Sequence, residues 1–483
     1  MKVLVSTWGN PYQWNPIRYK FKEHEIESRN TLPIMIKALN PDKVLIITLD
    51  TMANFMNRNG KPEIQTKEEF NSYEEIRRDT EDRIRWHIEK EVLPELQKQG
   101  EDELAGKIGS MLKEGKIEID VAPGVGVFGN ITVMGSMLDF YHYITYKLAT
   151  WLPVNDLEVY LDLTHGINFM PTLTYRALRN LLGLLAYVKD VNFEIMNFEP
   201  YPLGVKDKIL KETVLNMWEI GEGKVYPKPI LSKVENGDWT AFISSVANGF
   251  PLVFSTFYPN MSEVKEYLED EYRKFLSSIK VKRRKEDGKP VVKREESLSK
   301  NFKNVSKLYY LLRVLDRDYS KYAKKELEIS EIEKITELFK KMPRIEVMVT
   351  EQVKDLKNLV KGYYNYESGG PRYKLGLLDL INRKRGKTEE VMKLKKGVPI
   401  TLLEARNATR IFGPSGTQRY NETPELRNFI AHSGFEYNVT WLKYDGENKK
   451  ILFFYKDLDT VRELSCKALT FEMGGDGRCT KES

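Results

Sequence analysis

The sequence predicts a two-part fold, in which an α/β part with a parallel sheet precedes an all-α part. In roughly the first 200 residues, apolar runs of strand length alternate with helix-like segments. Strands that are apolar at nearly every position are typical of a parallel sheet covered by helices on both faces. From about Lys206 onward helix-like patterns dominate, which predicts two domains, 1–205 and 206–483.

Five strands and four helices are predicted in the first domain. The predicted strands are KVLVSTW, DKVLIITLD, KIEIDVAPG, DLEVYLDLTHG and VNFEIMNFEP. The predicted helices lie in RNTLPIMIKAL, between about Glu68 and Gln99, in TVMGSMLDFYHYITYKLATWL and in MPTLTYRALRNLLGLLAYV. Asn30 or Thr31 can cap the first of these helices, because short polar side chains accept hydrogen bonds from helix-start amides.

Long helical patterns fill most of the second domain. The predicted helices are MSEVKEYLEDEYRKFLSSI, FKNVSKLYYLLRVLDRDYSKYAKKELE, ISEIEKITELFKKM and IEVMVTEQVKDLKNLVKGYYNY. Near the end, VTWLKYDGENKKILFFY predicts a small β-hairpin that turns at Asp445-Gly446. The basic segment 281–300 is poor in apolar residues and contains Gly288 and Pro290, so we expect an exposed loop or hairpin there.

Composition predicts a soluble, cytoplasmic protein of two or three domains. The chain has 483 residues, of which 41% are apolar and 30% charged. The longest apolar run, Leu181 to Val188, is far shorter than the roughly 20 residues of a membrane span, and only a short apolar run follows Met1. Two cysteines, Cys466 and Cys479, cannot build a disulfide framework, which indicates a reducing compartment. The net charge of +6 permits a polyanionic partner without requiring one.

Three loops that follow predicted strands are rich in small and polar residues. They are STWGN after the first strand, APGVGVFGN after the third and DLTHGIN after the fourth. In an open parallel sheet, ligands bind beyond the carboxyl ends of the strands. Glycines allow close approach of a ligand, and hydroxyls, amides and helix-start N–H groups can bind phosphate oxygens. Each loop taken alone is also compatible with an ordinary turn.

Gly124 to Gly129 match the G-x-G-x-x-G fingerprint of dinucleotide-binding proteins. The match follows the third predicted strand, whereas the fingerprint follows the first. The acidic residue expected about 20 positions further on is also missing, since Asp162 lies 33 residues beyond Gly129. A nicotinamide-dependent enzyme is therefore the least favoured interpretation, and a titration with NAD(P)H would test it.

The stretch ETPELRNFIAHSGFEY contains the last of only five histidines and predicts a short helix. Thr423 can cap it, Pro424 suits the first position, and Gly434 suits the position after the end. Asn428 and His432 are four residues apart and so lie on one face of the helix. The long side chain of Arg427, five positions before His432, can reach a groove between packed helices.

These three side chains fit RNA cleavage without a metal ion. A histidine can take a proton from the ribose 2′-hydroxyl or give one to the leaving 5′-oxygen, and a guanidinium can hold the phosphate. One histidine does not easily perform both proton transfers, but two copies across a dimer axis could. The alternative is a helix with one exposed arginine and one partly buried histidine that has no catalytic task.

Metal chemistry and a serine nucleophile receive little support. The histidines are scattered at positions 24, 87, 142, 165 and 432, with no close pair and no pair of cysteines beside them. His142 lies in an aromatic helix face and is expected to be a core residue. The nucleophile motif G-x-S-x-G does not occur in the sequence.

The order of these motifs resembles the CARF–HEPN accessory ribonucleases of type III CRISPR systems. A Rossmann-like domain with STWGN and DLTHGIN is similar to the CARF sensor domain, and RNFIAH matches the R-x(4–6)-H signature of HEPN ribonucleases. The resemblance implies a homodimer activated by a cyclic oligoadenylate, with four units the favoured ring size and six the competitor. It also implies a composite, metal-independent site that cleaves single-stranded RNA and leaves a 2′,3′-cyclic phosphate.

Carried over by residue, the resemblance implies two sets of site residues. The catalytic set is Arg427, Asn428 and His432. The ligand-binding set is Gly9, Asn10, Thr164, His165, Gly166 and Asn168. The PGVGVFG loop would line the ligand pocket or contribute to the dimer, and 281–300 would be an insertion that touches RNA or is merely solvated. The alternative function is a dimeric nucleotide-sensing or RNA-binding regulator without nuclease activity.

Overall fold

The fold consists of two compact units of the chain. The computed structural model describes residues 1–56, 64–67, 69–202, 209, 212–284, 287–367, 370–382, 388–409 and 424–471. Unit 1 comprises Met1–Tyr226 and Lys265–Tyr310, and unit 2 comprises Pro227–Val264 and Leu311–Ser483. This division differs from a single boundary between residues 205 and 206, because residues 265–310 return to unit 1.

A parallel sheet forms the centre of unit 1, as the sequence predicts. The sheet has the order β3-β2-β10-β9-β8-β1-β4-β5, and every neighbouring pair from β9 to β5 is parallel. The strands are β1 (Lys2–Thr7), β2 (Ile17–Phe21), β3 (His24–Ser28), β4 (Lys43–Leu49), β5 (Ile117–Ala122), β8 (Leu157–Asp162), β9 (Val191–Phe198) and β10 (Val214–Lys224). The predicted α/β class is therefore confirmed.

The edge strands of this sheet were not predicted. The hairpin of β2 and β3 joins one edge, and β10 pairs antiparallel with β9. The pattern of β10 is weak because most of its residues are exposed or half-buried, and its pairing is irregular between Glu219 and Gly221. A half-exposed strand with glycines lacks the continuous apolar run that marks the central strands.

Helices flank the central sheet of unit 1. They are α1 (Leu32–Leu39), α2 (Tyr73–His87), α3 (Leu93–Lys98), α4 (Asp102–Lys113), α5 (Leu138–Trp151) and α6 (Phe169–Leu185). The predicted helix between Glu68 and Gln99 is divided into α2 and α3 by a π-helical segment, Ile88–Val92. Pro94 lies in the first turn of α3, where its missing N–H is tolerated, so the ladder is interrupted just before it.

A second, smaller sheet in unit 1 corrects two predictions. It has the order β11-β12-β7-β6, with β6 (Gly126–Val127), β7 (Thr132–Met134), β11 (Ile279–Arg283) and β12 (Pro290–Arg294). Thr132–Met134 is thus a strand, not the start of a helix. Segment 281–300 contains part of the β11–β12 hairpin, but it is not exposed throughout, since Val292 is fully buried and Arg294 nearly so.

Unit 2 is mainly helical, as predicted, and includes a small antiparallel sheet. The described helices from residue 227 onward are α7 (Gly237–Asn248), α8 (Pro251–Thr256), α9 (Met261–Ser277), α10 (Lys300–Tyr319), α11 (Ile329–Thr336), α12 (Pro343–Lys361), α13 (Leu377–Asn382), α14 (Glu389–Lys395), α15 (Leu402–Thr409), α16 (Leu426–Ala431) and α17 (Leu458–Phe471). Most residues of α9 and the first part of α10 are assigned to unit 1. Within the part of the chain that the structure describes, none of the helices has the length and apolarity needed to cross a membrane.

The predicted C-terminal hairpin is confirmed. The strands of unit 2 are β13 (Leu327–Glu328), β14 (Gly362–Glu367), β15 (Gly370–Leu375), β16 (Ile400–Thr401), β17 (Thr440–Asp445) and β18 (Lys450–Tyr455). The turn follows Asp445, whose carboxylate accepts the Glu447 N–H at 3.1 Å. Cys466 in α17 is fully buried. Cys479 lies outside the described residues.

Candidate ligand site and candidate active site

The loops that follow β1 and β8 lie side by side at the carboxyl edge of the central sheet. These strands are parallel neighbours, and the Gly9 N–H donates to the His165 carbonyl at 2.8 Å. A Cβ on Gly9 would lie 3.3 Å from that same carbonyl oxygen. The structure therefore brings together the two loops that carry all six predicted ligand residues.

His165 lies between aromatic rings and is held in its neutral form. Its ring packs on Trp14 with 4.2 Å between centroids, and Tyr19 approaches at 6.2 Å edge-on. Burial lowers the pKa of His165 to about 4, although the Asp162 carboxylate opposes that shift. Its Nε2 atom is buried and has no hydrogen-bond partner in the described chain. The imidazole can thus exchange a hydrogen bond with a ligand but carries no charge at neutral pH.

Thr164 holds the loop in place and does not point a free hydroxyl at a ligand. The hydroxyl donates to Asp162 Oδ1 at 2.6 Å and accepts the Phe198 N–H at 3.1 Å. The other carboxylate oxygen of Asp162 accepts the Thr31 hydroxyl at 2.5 Å. Asp162 therefore ties α1, β8 and the loop together, a task that the sequence analysis did not assign to it.

The two predicted asparagines differ in how far their side chains are already engaged. Asn10 Oδ1 accepts the Tyr12 N–H at 3.1 Å and so caps a short 3-10 helix, Pro11–Gln13. The Nδ2 of Asn10 is buried and has no partner among the described residues. Asn168 is exposed just before α6, and its side chain does not cap that helix.

Buried hydroxyls collect at the same sheet edge. Thr7, Thr48 and Thr51 lie at the ends of β1 and β4, and their Oγ1 atoms have no hydrogen-bond partner in the part of the chain described. Leaving a buried hydroxyl unpaired costs on the order of 1–3 kcal/mol. Clustered unpaired polar atoms indicate an edge suited to a polar ligand. Thr48 could not be recognised from the sequence, because threonine in a strand normally indicates only β propensity, and Thr51 lies in a short 3-10 helix, Asp50–Met52, that was not predicted.

The Gly124–Gly129 stretch contains β6, which pairs antiparallel with β7 beyond it to form a hairpin. The dinucleotide fingerprint would instead lead from a strand into a helix. The Gly124 N–H is committed to Asp50 Oδ1 at 2.7 Å, and its carbonyl accepts Arg294 Nη2 at 2.7 Å. The geometry thus gives no support to a nicotinamide site at this position.

Asp50, Asp139 and Arg294 form a buried charge network beneath that hairpin. Arg294 Nε donates to Asp139 Oδ2 at 3.0 Å, and Nη1 lies 3.3 Å from Asp50 Oδ2. The Tyr73 hydroxyl also donates to Asp50, at 2.8 Å. Burial raises the pKa of Asp50 to about 6, and Arg294 and the Gly124 N–H limit the rise. Arg294 therefore joins β12 to the loop that follows β4.

Gly166→Ala is expected to destabilise unit 1 by about 1–3 kcal/mol, the usual cost of overpacking. The added Cβ would overlap Thr7 Oγ1 and would lie 2.5 Å from Pro171 Cγ, which belongs to a rigid ring. Thermal unfolding measures the change. The matched control is Gly106→Ala in α4, where a Cβ meets nothing within 4 Å and should stabilise slightly. Equal melting temperatures for the two variants would contradict this prediction.

The RNFIAH stretch forms α16, which is shorter than the helix predicted from Pro424 to Ser433. Glu425 lies at its N-cap position, and the predicted cap Thr423 lies outside the described residues. The helix ends at Ala431 with His432 as its C-cap, so it stops before the predicted end at Ser433. Ser433 and Gly434 follow in left-handed conformations, with φ of 51° and 84°, and the Gly434 N–H donates to the Phe429 carbonyl at 2.8 Å. Phe429 is fully buried and anchors the helix against Phe250, with 5.0 Å between ring centroids.

The candidate catalytic residues occupy different environments on α16 and at its end. His432 is half-buried, and Arg427 is exposed with no ion pair in the described structure. Asn428 Nδ2 donates to Glu425 Oε2 at 3.3 Å. Burial and the nearby Arg406 guanidinium lower the pKa of His432 from its ordinary value, while Asp355 partly offsets them. A neutral imidazole is the form that can accept a proton.

Gln352 is a neighbour of His432 that the sequence analysis missed. Its Oε1 lies 3.0 Å from His432 Nδ1, and the Tyr437 ring packs on the imidazole at 4.8 Å. No spacing rule connects a glutamine with a histidine 80 residues away. Across the described ranges, no three His, Cys, Asp or Glu side chains are grouped so that they could hold a metal ion.

Two family profiles match most of the chain. Residues 3–200 match the CARF domain of the CRISPR system endoribonuclease Csx1, and residues 262–457 match its HEPN domain. The chain belongs to the CARF–HEPN CRISPR-associated ribonuclease family. The CARF match includes both ligand loops, and the HEPN match includes α16 and Gln352.

One curated relative agrees with this assignment, and one solved structure is similar over much of its length. The CRISPR system endoribonuclease Csx1 of Methanocaldococcus jannaschii is 28% identical over 93% of this chain and 88% of its own length. A solved structure of Enterococcus italicus Csm6 bound to cyclic hexa-2′-fluoro-hexa-dAMP covers 90% of this chain and 91% of its own, at 11% identity. Its TM-score of 0.22 is too low to indicate how this chain binds a ligand.

Proposed function

We propose that this CARF–HEPN protein is a metal-independent endoribonuclease that cleaves single-stranded RNA and is activated by a cyclic oligoadenylate. The observation that carries the proposal is the placement of Arg427, Asn428 and His432 on and beside one anchored helix. The imidazole is half-buried, has a lowered pKa and contacts the Gln352 amide, and the guanidinium is exposed and can contact phosphate. The setting is CRISPR type III antiviral defence in the cytoplasm.

The reaction needs two proton transfers. A His432 imidazole takes the proton of a 2′-hydroxyl as that oxygen attacks phosphorus, and the bond from phosphorus to the 5′-oxygen breaks. A second His432, supplied by the other subunit of a homodimer, gives its proton to the leaving oxygen. Arg427 offsets charge on the phosphate oxygens, and the product ends in a 2′,3′-cyclic phosphate.

The ligand proposal rests on the two loops in contact at the sheet edge. Gly9 and Gly166 allow the two loops to pack closely, since a Cβ at either would meet neighbouring atoms. The exposed Asn168 and the unpaired polar atoms Asn10 Nδ2 and His165 Nε2 would contact the nucleotide. Thr164 would act through Asp162, by holding the loop. A ring of four adenylates is the activator that the family resemblance favours, with six as the competitor. Either ring has a two-fold axis that suits a dimer.

One assay tests the whole proposal. Purified protein is incubated with end-labelled RNA in EDTA, without activator and with cyclic tri-, tetra- or hexa-adenylate in turn. We expect cleavage only with one cyclic adenylate, tetra-adenylate foremost, and products that acid converts to 2′- and 3′-phosphates. Tight adenylate binding without cleavage under any condition would favour the alternative, a sensing or RNA-binding regulator. Loss of cleavage in EDTA that Mg²⁺ restores would contradict metal independence.

A further inference from the structure

Gln352 is a buried amide whose side chain meets the candidate catalytic imidazole. It lies on α12, is 9% exposed, and its Oε1 is 3.0 Å from His432 Nδ1. The other amide atom, Nε2, is buried without a hydrogen-bond partner in the described structure. Burying an amide with one unpaired atom costs free energy. The hydrogen bond to His432 is the side-chain contact that offsets part of this cost.

We propose that Gln352 is a positioning residue that fixes the tautomer and orientation of His432 for RNA cleavage. This inference rests on the proposed nuclease function. When Gln352 Oε1 accepts a hydrogen bond, Nδ1 must carry the proton, because a neutral imidazole has one donor and one acceptor nitrogen. Nε2 is then the atom that takes the proton of the 2′-hydroxyl in one subunit. In the other subunit, the protonated Nε2 gives its proton to the 5′-oxygen as the bond from phosphorus breaks.

The surroundings of His432 explain why an amide suits this position better than a carboxylate. The imidazole packs on Tyr437, and Arg406 lies 4.8 Å above that same tyrosine ring. Arg406 is paired with Asp355 at 2.5 Å, so the charged groups of α12 and α15 that face the imidazole partly cancel. A neutral amide oxygen accepts the Nδ1–H bond both when the ring is the neutral base and when it is the protonated acid, whereas a carboxylate would favour the imidazolium in both subunits and so oppose the base step.

Two substitutions of Gln352 separate orientation from packing. Gln352→Leu keeps the volume and removes the acceptor, and we expect kcat to fall by about 10- to 100-fold with KM unchanged. Gln352→Glu keeps an acceptor at the same place. We expect it to retain more activity than the leucine variant and to move the acidic limb of the pH–rate profile to higher pH, because a carboxylate raises the pKa of His432.

The tautomer can be observed directly. Protein labelled with ¹⁵N-histidine contains only five imidazoles, and the His432→Ala spectrum assigns the fifth. We expect Nδ1 of His432 to be the protonated nitrogen in the wild type and in the glutamate variant, and both tautomers to be present in the leucine variant. The matched control is Glu351→Gln, one residue away on an exposed position of α12, which should leave rate and spectrum unchanged.

The outcomes distinguish this inference from the nuclease proposal. An inactive His432→Ala protein beside a fully active Gln352→Leu protein would overturn the positioning role alone. So would a leucine variant that is slower but keeps the wild-type tautomer and pH profile, since packing would then account for the loss. Protonation at Nε2 in the wild type would mean that the amide has the opposite orientation, and would also overturn it. A fully active His432→Ala protein would remove the nuclease site itself.

Discussion

His432→Ala is expected to abolish RNA cleavage, with a loss of at least about 10²- to 10⁴-fold, the usual contribution of a general acid or base. The substitution removes the group that exchanges protons and leaves α16 anchored by Phe429. Initial rates on labelled RNA in EDTA, with saturating cyclic adenylate, measure the effect. Arg427→Ala should also abolish cleavage, because it removes the guanidinium proposed to bind the phosphate. It should fold like the wild type, because that side chain is exposed and has no ion pair in the described structure.

The control for this experiment removes a different imidazole. His24 lies in the outer hairpin of unit 1 and is paired with Glu23 at 3.2 Å, so His24→Ala should keep full activity. Size-exclusion chromatography and thermal unfolding should show unchanged assembly and stability for both histidine variants. Wild-type cleavage by the His432→Ala protein would show that the reaction proceeds elsewhere.

Arg294→Met is expected to destabilise unit 1 by about 3–5 kcal/mol, because it leaves two buried carboxylates, Asp50 and Asp139, without their cation. Chemical denaturation measures the loss, and faster hydrogen exchange in β7 and β12 localises it. Arg283→Met removes a guanidinium from the same hairpin, where it makes an exposed pair with Glu69 and should contribute at most about 1 kcal/mol. Similar losses in both variants would contradict the prediction.

The cost of Arg294→Met should also depend on pH. The folded-state pKa of Asp50 is about 6, above its ordinary value, so folding favours the protonated carboxyl and its contribution to stability is lost as pH rises through that value. Without Arg294 the pKa rises further, and stability continues to fall at higher pH. The difference in unfolding free energy between wild type and variant should therefore be larger at pH 8 than at pH 5.5. A difference that does not change with pH would rule out an ionised Asp50.

The central strands and α16 could be predicted because their signals are local. Each parallel strand is a continuous apolar run, and the end of α16 is marked by Gly434 a few residues from His432. The second sheet could not be predicted, because β12 pairs with β7, which lies more than 150 residues earlier in the sequence. The buried role of Arg294 could not be predicted either, because an arginine in a basic segment normally lies in solvent. Gln352 could not be predicted for the same reason, because its contact with His432 forms only when the chain has folded.

The pairing of β12 with β7 also sets an order of events during synthesis. Arg294, which pairs with the Asp139 carboxylate, is synthesised 155 residues after Asp139. Domains at the amino terminus generally fold first as the chain emerges. Asp50 and Asp139 therefore lack their arginine partner until the β11–β12 hairpin has been translated. Unit 1 can therefore complete its charge network only after residues 227–264, the first segment of unit 2, have been synthesised.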